Sequence, residues 1–148
     1  MPSMHEPTIR PAVLADLPAV RELMIELGYD VDADALDTTL RDLASNPHAV
    51  VLVSESEGRV DALLSMTFRP QLHVAALTGT IDELVTRRER RGRGIGHALV
   101  RAAVEEARRR GAFRIELTTR KNRASYERGF YAACGFVEST SALFRMVL

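Results

Sequence analysis

Residues 86–97 read TRRERRGRGIGH, and this stretch decides the fold of the 148-residue chain. Five arginines occupy positions 87, 88, 90, 91 and 93, and glycines alternate with other residues at positions 92, 94 and 96. The apolar, strand-like run IDELV (residues 81–85) precedes the stretch, and an amphipathic helix that begins at Ile95 follows it. The sequence therefore predicts a glycine-rich basic loop between a strand and a helix.

This loop has the chemistry of an anion site. The first N–H groups of a helix have no partner within the helix, and the helix dipole favours a negative charge beside them. Glycines let a phosphate approach the backbone closely. We therefore expect a pyrophosphate at the start of the helix, with arginine side chains left for a further phosphate. A solvated basic loop is the alternative, but three regularly spaced glycines between a strand and a helix favour the anion site.

Two familiar phosphate loops fit the stretch poorly. A Walker loop contains Gly-Lys-Ser/Thr, and the chain has no such triplet. A dinucleotide fingerprint places its third glycine three positions after the second, directly behind a strand. Here the second and third glycines, Gly94 and Gly96, are only two positions apart, and a run of arginines separates the glycines from the strand.

The rest of the chain predicts alternating strands and helices around this loop. Asp16 and Pro18 suit the start of a first helix, and Gly28 suits its end. The expected order is β-α-α-β-β-β-α-β-α-β, a mixed sheet with helices on both sides. The predicted segments are a strand at 9–10, helices at 17–27 and 34–44, strands at 49–54, 60–68 and 75–86, a helix from 95 to 110, a strand at 113–118, a helix at 126–134 and a strand at 143–148.

Two motifs resemble a known family. Residues 91–96 (RGRGIG) match the Arg/Gln-x-x-Gly-x-Gly/Ala motif of the GNAT N-acetyltransferases, and residues 130–136 (FYAACGF) fit the family's Phe-Tyr-x-x-x-Gly-Phe ending. The opening TIRPA, followed by Asp16, is similar to the family's first strand and helix. The resemblance covers nearly the whole chain. It implies a single α/β (α+β type) domain over 1–148, with a mostly antiparallel sheet of six to seven strands and about four helices, splayed beside the Ile81–Val85 strand.

The resemblance also implies acetyl-CoA as the acetyl donor. Backbone groups of Leu84 and Val85 would pair with the pantetheine arm like an added strand. Backbone N–H groups at the start of the helix would hold the pyrophosphate, and arginine side chains would meet the phosphates. The cofactor residues implied by the resemblance are Leu84, Val85, Arg91, Gly92, Arg93, Gly94, Ile95, Gly96, His97 and Asn122.

Three side chains are candidates for the chemistry of acetyl transfer, which must deprotonate an ammonium and protonate a leaving thiolate. Tyr131 occupies the position of the family's tyrosine that protonates the thiolate. Glu83 is the preferred base or amine anchor, and Asp82 is the alternative, because strand alternation cannot choose between them where the family's strand is distorted. The backbone N–H of Val85 is the expected donor to the oxyanion.

Composition limits the remaining classes of function. Twenty Lys and Arg balance twenty Asp and Glu, so neither nucleic acid nor an acidic membrane is an expected partner. The single cysteine excludes an internal disulfide, and the scattered histidines predict no metal site. No apolar stretch is long enough to span a bilayer, and residues 1–7 lack the pattern of a secretory signal. We therefore expect a cytoplasmic protein.

The acceptor is expected to be a small-molecule primary amine, because the overall pattern is similar to the aminoalkylphosphonate and aminoglycoside acetyltransferases. A protein N-acetyltransferase, a non-catalytic acyl-CoA-binding sensor and a nucleotide-binding domain remain alternatives. A homodimer is compatible with the family, in which dimers are common.

Overall fold

A five-stranded sheet with helices around it organises the chain up to Thr118 in the computed structural model, which describes residues 6–148. A second compact unit runs from Thr119 to Leu148. The first unit contains β1 (Thr8–Pro11), α1 (Leu17–Leu27), α2 (Ala33–Ser45), β2 (Ala49–Ser56), β3 (Arg59–Gln71), β4 (Ala76–Thr86), α3 (Ile95–Arg109) and β5 (Arg114–Leu117). The second unit contains α4 (Ala124–Glu127) and α5 (Phe130–Ala133).

The strand order is β1-β2-β3-β4-β5. The first three neighbouring pairs are antiparallel, and β4 pairs with β5 in parallel across the connection that contains α3. The mixed, mostly antiparallel sheet is therefore confirmed. The expected six to seven strands were too many, because five form within residues 6–148.

Two differences from the sequence prediction lie in the second unit. The single helix expected over residues 126–134 is divided into α4 and α5 at Gly129, whose φ of 70° belongs to the left-handed region that ends a helix. The strand expected at residues 143–148 does not form, and Phe144 and Leu148 are fully or almost fully exposed. Alternating apolar residues alone do not make a strand, because the backbone also needs a hydrogen-bonded neighbour.

The first helix begins and ends where the sequence predicts. Asp16 occupies the N-cap position of α1, and Gly28 ends the helix with φ 109°. The Asp16 carboxylate does not cap α1, however. It accepts the N–H of Val13 at 2.8 Å and both terminal nitrogens of Arg10 at 2.8 and 2.9 Å, and these bonds hold the pKa of Asp16 below its ordinary value. Asp16 thus fixes β1 to the start of α1.

Helices pack on both faces of the sheet. On one face, α1 contributes Val20 and Leu23 to a core that includes Leu63 of β3 and Val85 of β4. Alternation turns the neighbouring residues of β3 to the opposite face. The helix α3 contacts β3 and β4, and its inner residues Leu99 and Ala103 are fully buried. No helix within residues 6–148 is long and apolar enough to cross a bilayer.

The pairing of β4 changes near its middle, and this change positions the candidate site. Ser65 of β3 is opposite Glu83, but the next residue, Met66, is opposite Ile81, so Asp82 is the extra residue of a β-bulge. On the other side, pairing with β5 stops at Ile81. From Asp82 onward, β4 has no paired strand on its β5 side in this sheet. The expected splay beside Ile81–Val85 therefore begins at the bulge.

Candidate functional site

Two carboxylates lie at the bulge of β4. Thr67 of β3 donates a hydrogen bond to Asp82 Oδ2 at 3.0 Å, and Ser65 donates one to Glu83 Oε2. Partners on alternate residues of one strand share a face of the sheet. The bulge therefore turns both neighbouring carboxylates toward that face, where strict alternation would separate them.

Burial raises the pKa of both carboxyl groups. For Glu83, desolvation is the largest cause, the hydrogen bond from Ser65 opposes it, and the charge of Asp82 adds to the rise. For Asp82, desolvation again dominates, and it is opposed by the bond from Thr67 and the charge of Arg69. A raised pKa makes a carboxylate a stronger proton acceptor near neutral pH. The pair is therefore suited to removing a proton from an ammonium or to binding it.

The glycine-rich loop and the start of α3 leave room for a ligand. Gly92 and Gly94 have φ values of 76° and 80°, and apart from each glycine and its two chain neighbours no heavy atom lies within 4 Å of the place where a β-carbon would sit. Helical hydrogen bonding begins with Ala98 N–H to the Gly94 carbonyl at 3.0 Å. The N–H groups of Ile95 and Gly96 precede that bond and lack an acceptor within the helix. This geometry is compatible with an anion site, which stays a prediction.

Two of the five loop arginines hold the loop to the rest of the fold. Arg87, 5% exposed, donates to the Val60 carbonyl at 2.8 Å and pairs with Glu22 of α1 at 2.7 Å. Arg90 pairs with the buried Asp61 at 3.1 Å. These cations are already neutralised by the protein, so we exclude them from binding phosphate.

Two further contacts of the loop involve Arg90 and Arg88. Arg90 Nη2 donates to Ser56 Oγ at 2.9 Å, and Ser56 in turn donates to Asp61. The backbone N–H of Arg88 donates to Glu26 of α1 at 2.9 Å. The loop is thus fixed to β2, β3 and α1 before any ligand binds.

The two arginines predicted to meet phosphate, Arg91 and Arg93, are both exposed. Arg91 is exposed and donates to the Thr86 carbonyl at 3.1 Å, which leaves its terminal guanidinium nitrogens available. Arg93 is exposed, and within residues 6–148 its side chain has no ion pair or hydrogen bond. His97, half-buried in the first turn of α3, lies beside the predicted anion site.

The other predicted cofactor residues on β4 lie beyond the bulge. Leu84 is opposite Leu64, and Val85 is opposite Leu63. The side chain of Val85 belongs to the core under α1, so only its backbone can serve a ligand. Because β5 does not pair with this part of β4, the strand edge is suited to an extended ligand arm.

Tyr131 and Asn122 belong to the second unit. Tyr131 lies in α5, is half-exposed, and makes edge-to-face contacts with Phe130 and Phe136 at centroid distances of 5.1 and 6.2 Å. Asn122 lies in the exposed turn before α4. The roles of both residues stay predictions.

A separate cleft of about 500 Å³ lies between α2, α3 and the first two strands. Leu40, Val51 and Glu105 are among its lining residues, and none of the predicted cofactor or catalytic residues lines it. It is therefore not part of the candidate site.

Sequence reasoning missed the residues that support the site. Glu22 and Glu26, four positions apart on α1, both contact the loop, yet their spacing alone is typical of a solvated helix face. Asp61 gave a clearer signal, since it is a charged residue within the apolar run VDALL and is 2% exposed. Ser65 follows this run directly and is a polar residue between two apolar ones, Leu64 and Met66. A polar residue at such a position indicates a hydrogen-bond partner, and here the partner is Glu83.

Comparisons with known proteins find similar sequences and a similar fold. The sequence model described as the acetyltransferase (GNAT) family matches residues 17–136. An aminoalkylphosphonate N-acetyltransferase from Salmonella typhimurium is 34% identical over 114 residues, which cover 77% of this chain and 71% of that enzyme. Glucosamine 6-phosphate N-acetyltransferase 1 from Oryza sativa is 36% identical over 92 residues, which cover 60% of this chain and 53% of that enzyme, about half of its length.

A solved structure has the same fold. It is an aminoglycoside N-acetyltransferase in complex with CoA, and it superposes with a TM-score of 0.87 over 99% of this chain and 98% of that one. The sequence identity is 16%, so the likeness concerns the fold alone.

Proposed function

Because the chain belongs to the GNAT acetyltransferase family, we propose that it transfers the acetyl group of acetyl-CoA to a primary amine. The observation that carries this proposal is the arrangement along β4. The raised-pKa carboxylates lie at the bulge, and the open glycine loop follows the same strand. The strand β4 thus carries the proton acceptor, and the loop that follows it carries the proposed anion site.

The residues of the loop fit a CoA pyrophosphate. The open space above Gly92 and Gly94, the N–H groups at the start of α3 and the exposed Arg93 together form a cradle for a dianion. We propose that this cradle and Arg91 hold the phosphates, while the backbone of Leu84 and Val85 holds the pantetheine arm. Asn122 stays a predicted contact. Acetyl-CoA, when bound, supplies an activated thioester.

The chain's own groups then move the protons. Glu83 accepts the proton of the ammonium, directly or through water, and Asp82 helps to hold the cation. The Val85 N–H donates to the oxygen on which negative charge develops. Tyr131 gives its proton to the departing thiolate, a role that rests on the family motif. The amine attacks the acetyl carbon directly, since Cys134 has no histidine arrangement in the sequence that would activate it as a nucleophile.

We propose a small-molecule amine as the acceptor. The two curated relatives are named for glucosamine 6-phosphate and for aminoalkylphosphonate, and both of these are amines that carry a phosphorus oxyanion. A screen should therefore begin with amino sugar phosphates and aminoalkylphosphonates. A protein N-terminus is tested in the same screen with short peptides.

The single domain over residues 1–148, the cytoplasmic location and the homodimer also stay proposals. The family match supports the first, because it extends from residue 17 to residue 136 and so includes parts of both compact units. The chain's single cysteine, Cys134, cannot form an internal disulfide, which is compatible with a reducing compartment.

Thermal unfolding with acetyl-CoA, CoA, NAD and ATP at equal concentrations tests the proposed cofactor. A ligand at a hundred times its dissociation constant adds about 2.7 kcal/mol to the free energy of unfolding. We expect the midpoint to rise with acetyl-CoA and CoA and to stay constant with NAD and ATP. A rise with NAD or ATP alone would indicate a nucleotide-binding domain instead.

Release of free CoA thiol in the presence of the amine screen tests the reaction. We expect thiol release with at least one small amine. Binding of acetyl-CoA without thiol release across small amines and peptides would identify a non-catalytic acyl-CoA sensor and refute the transferase.

A further inference from the structure

One face of the sheet changes from apolar to polar at Ser65. Up to Leu63 and Val85 this face packs under α1. Beyond that point every residue of β3 on the face is polar or charged, and so are the residues of β4 opposite Ser65, Thr67 and Arg69. These polar residues are Ser65, Thr67, Arg69 and Gln71 on β3, and Thr78, Thr80, Asp82 and Glu83 on β4. We call this set the polar face.

Arg69 is the available cation of the polar face. It is exposed, and within the described part of the chain its guanidinium has no hydrogen bond or ion pair. Its charge nevertheless acts on Asp82, whose pKa it lowers against the effect of burial. Thr67, the partner of Asp82, is two residues away on the same strand, which corresponds to about 7 Å.

The other arginine near this face is already occupied. Arg114 of β5 pairs with Glu116 at 2.8 Å, donates to Gln71 at 3.2 Å and lies 3.2 Å from Nε2 of His73. A guanidinium with these partners has little capacity for a further anion. Arg69 therefore differs from Arg114 in being free to bind one.

The anion that Arg69 could bind is not the pyrophosphate at the loop. Arg59, at the first position of β3, pairs with Glu89 of the loop at 2.8 Å. Arg69 is ten positions further along the same strand, which corresponds to about 33 Å. A cation this far from the loop, whose charge acts on Asp82, belongs to the acceptor side of the reaction.

We propose that Arg69 binds a phosphate or phosphonate group of the acceptor, whose ammonium lies at Asp82 and Glu83. This inference rests on the proposed transferase function. An acceptor with an amine at one end and an oxyanion at the other matches the charges of the polar face, which presents two carboxylates and a guanidinium without a partner among the described residues. Thr67, which holds Asp82, and Arg69 are two residues apart on β3, a backbone separation of about 7 Å. Guanidinium suits the oxyanion because its planar fork can donate two parallel hydrogen bonds.

The test compares three amines that share a two-carbon chain: 2-aminoethylphosphonate, O-phosphoethanolamine and uncharged ethanolamine. Steady-state kinetics are measured for the wild type, Arg69→Gln and Arg69→Lys. In the wild type we expect kcat/KM to be higher for a phosphorus-containing amine than for ethanolamine. Arg69→Gln should lower that kcat/KM about 10-fold or more, as expected for lost charge-assisted bonds. Arg69→Lys should restore part of it.

Ethanolamine and the cofactor provide the internal controls. Arg69→Gln should lower kcat/KM for ethanolamine much less than for the phosphorus-containing amines, because ethanolamine has no oxyanion and loses only the effect of the Arg69 charge on Asp82. KM for acetyl-CoA should stay within about twofold. Arg101→Gln removes another exposed arginine, on α3, and should change none of these values. The ratio of kcat/KM for 2-aminoethylphosphonate to that for O-phosphoethanolamine shows whether the site prefers a phosphonate or a phosphate.

Two results would overturn the role of Arg69 while leaving the transferase intact. One is a wild-type kcat/KM that is higher for ethanolamine than for both phosphorus-containing amines. The other is an Arg69→Gln variant that loses activity equally with all three amines, or with none. A wild type that binds acetyl-CoA but acetylates no amine refutes the proposed function, and the acceptor subsite with it.

Discussion

The hydroxyl of Ser65 lies between the carboxylate and the backbone N–H of Glu83. It donates a hydrogen bond to Oε2 and accepts one from the N–H at 3.2 Å. Ser65 is on β3 and is 5% exposed, so it holds the candidate base from a rigid neighbouring strand. One buried hydroxyl thereby determines both the orientation of the Glu83 side chain and the local backbone at the bulge.

Replacement of Ser65 by alanine is expected to move the acid limb of kcat/KM to higher pH. The bond from Ser65 lowers the pKa of Glu83 against the effect of burial, so its loss raises that pKa further. Glu83 accepts a proton only when ionised, and a higher pKa means that it ionises at higher pH. The pH profile of kcat/KM for Ser65→Ala, compared with the wild type, measures the shift.

Ser54→Ala is the matched control for Ser65→Ala. Ser54 is a fully buried serine of β2 whose Oγ has no hydrogen-bond partner among the described residues. Its replacement should leave the pH profile unchanged and cost little stability. An identical shift in both variants would show that the pH limb does not report Glu83.

Glu83→Gln is expected to lower kcat by about 100-fold or more, which is the usual effect of removing a general base. Asp82→Asn should act mainly on KM for the amine, by about 10-fold, because Asp82 is the more exposed of the two partly desolvated carboxylates and is hydrogen-bonded to Thr67. Neither change should alter KM for acetyl-CoA. If Asp82→Asn gave the larger loss of kcat, Asp82 would be the base.

Tyr131→Phe is expected to lower kcat while the dissociation constant for acetyl-CoA stays within about twofold. The change removes the phenolic proton and keeps the ring contacts with Phe130 and Phe136. Tyr126→Phe is the control, since it removes the hydroxyl that donates to Glu138 at 3.1 Å in the same unit. Full turnover by Tyr131→Phe would remove this tyrosine from the mechanism.

The loop arginines should separate into two classes on substitution. Arg93→Gln is expected to raise KM for acetyl-CoA about 10-fold without a change in the midpoint of thermal unfolding, because the side chain has no partner in residues 6–148. Arg87→Gln should lower the free energy of unfolding by about 2–3 kcal/mol, since it breaks the buried bond of a charged donor to the Val60 carbonyl and removes the ion pair with Glu22. If Arg93→Gln and Arg87→Gln lowered the free energy of unfolding equally, the loop arginines would not fall into a ligand-binding class and a structural class.

Local signals explain what the sequence predicted well. The loop before α3, the helix start at Ile95 and the end of α1 at Gly28 each depend on residues within a few positions of one another. The hairpin of β2 and β3 likewise follows from two apolar runs around a Glu57-Gly58 turn. Such features need no knowledge of distant neighbours.

Features that depend on distant partners could not be predicted in the same way. The bulge at Asp82 exists only relative to the register of β3, and it settles a question of side-chain direction that alternation left open. The anchors of Arg87 and Arg90 come from α1, β2 and β3. Conversely, the apolar residues from Leu143 onward looked like a strand, yet they pair with no strand of the described chain.

The anchored arginines have a consequence for the entropy of cofactor binding. A flexible basic loop would have to be ordered by its ligand, at a cost of about 0.5–1.5 kcal/mol for each long side chain that becomes immobilised. Here Arg87 and Arg90 already hold the loop in place through ion pairs with the protein's own carboxylates. The loop is therefore ordered during folding, and the ligand does not have to order it. Acetyl-CoA would therefore meet a preorganised surface, and loosening either anchor would weaken its affinity without removing any atom that touches it.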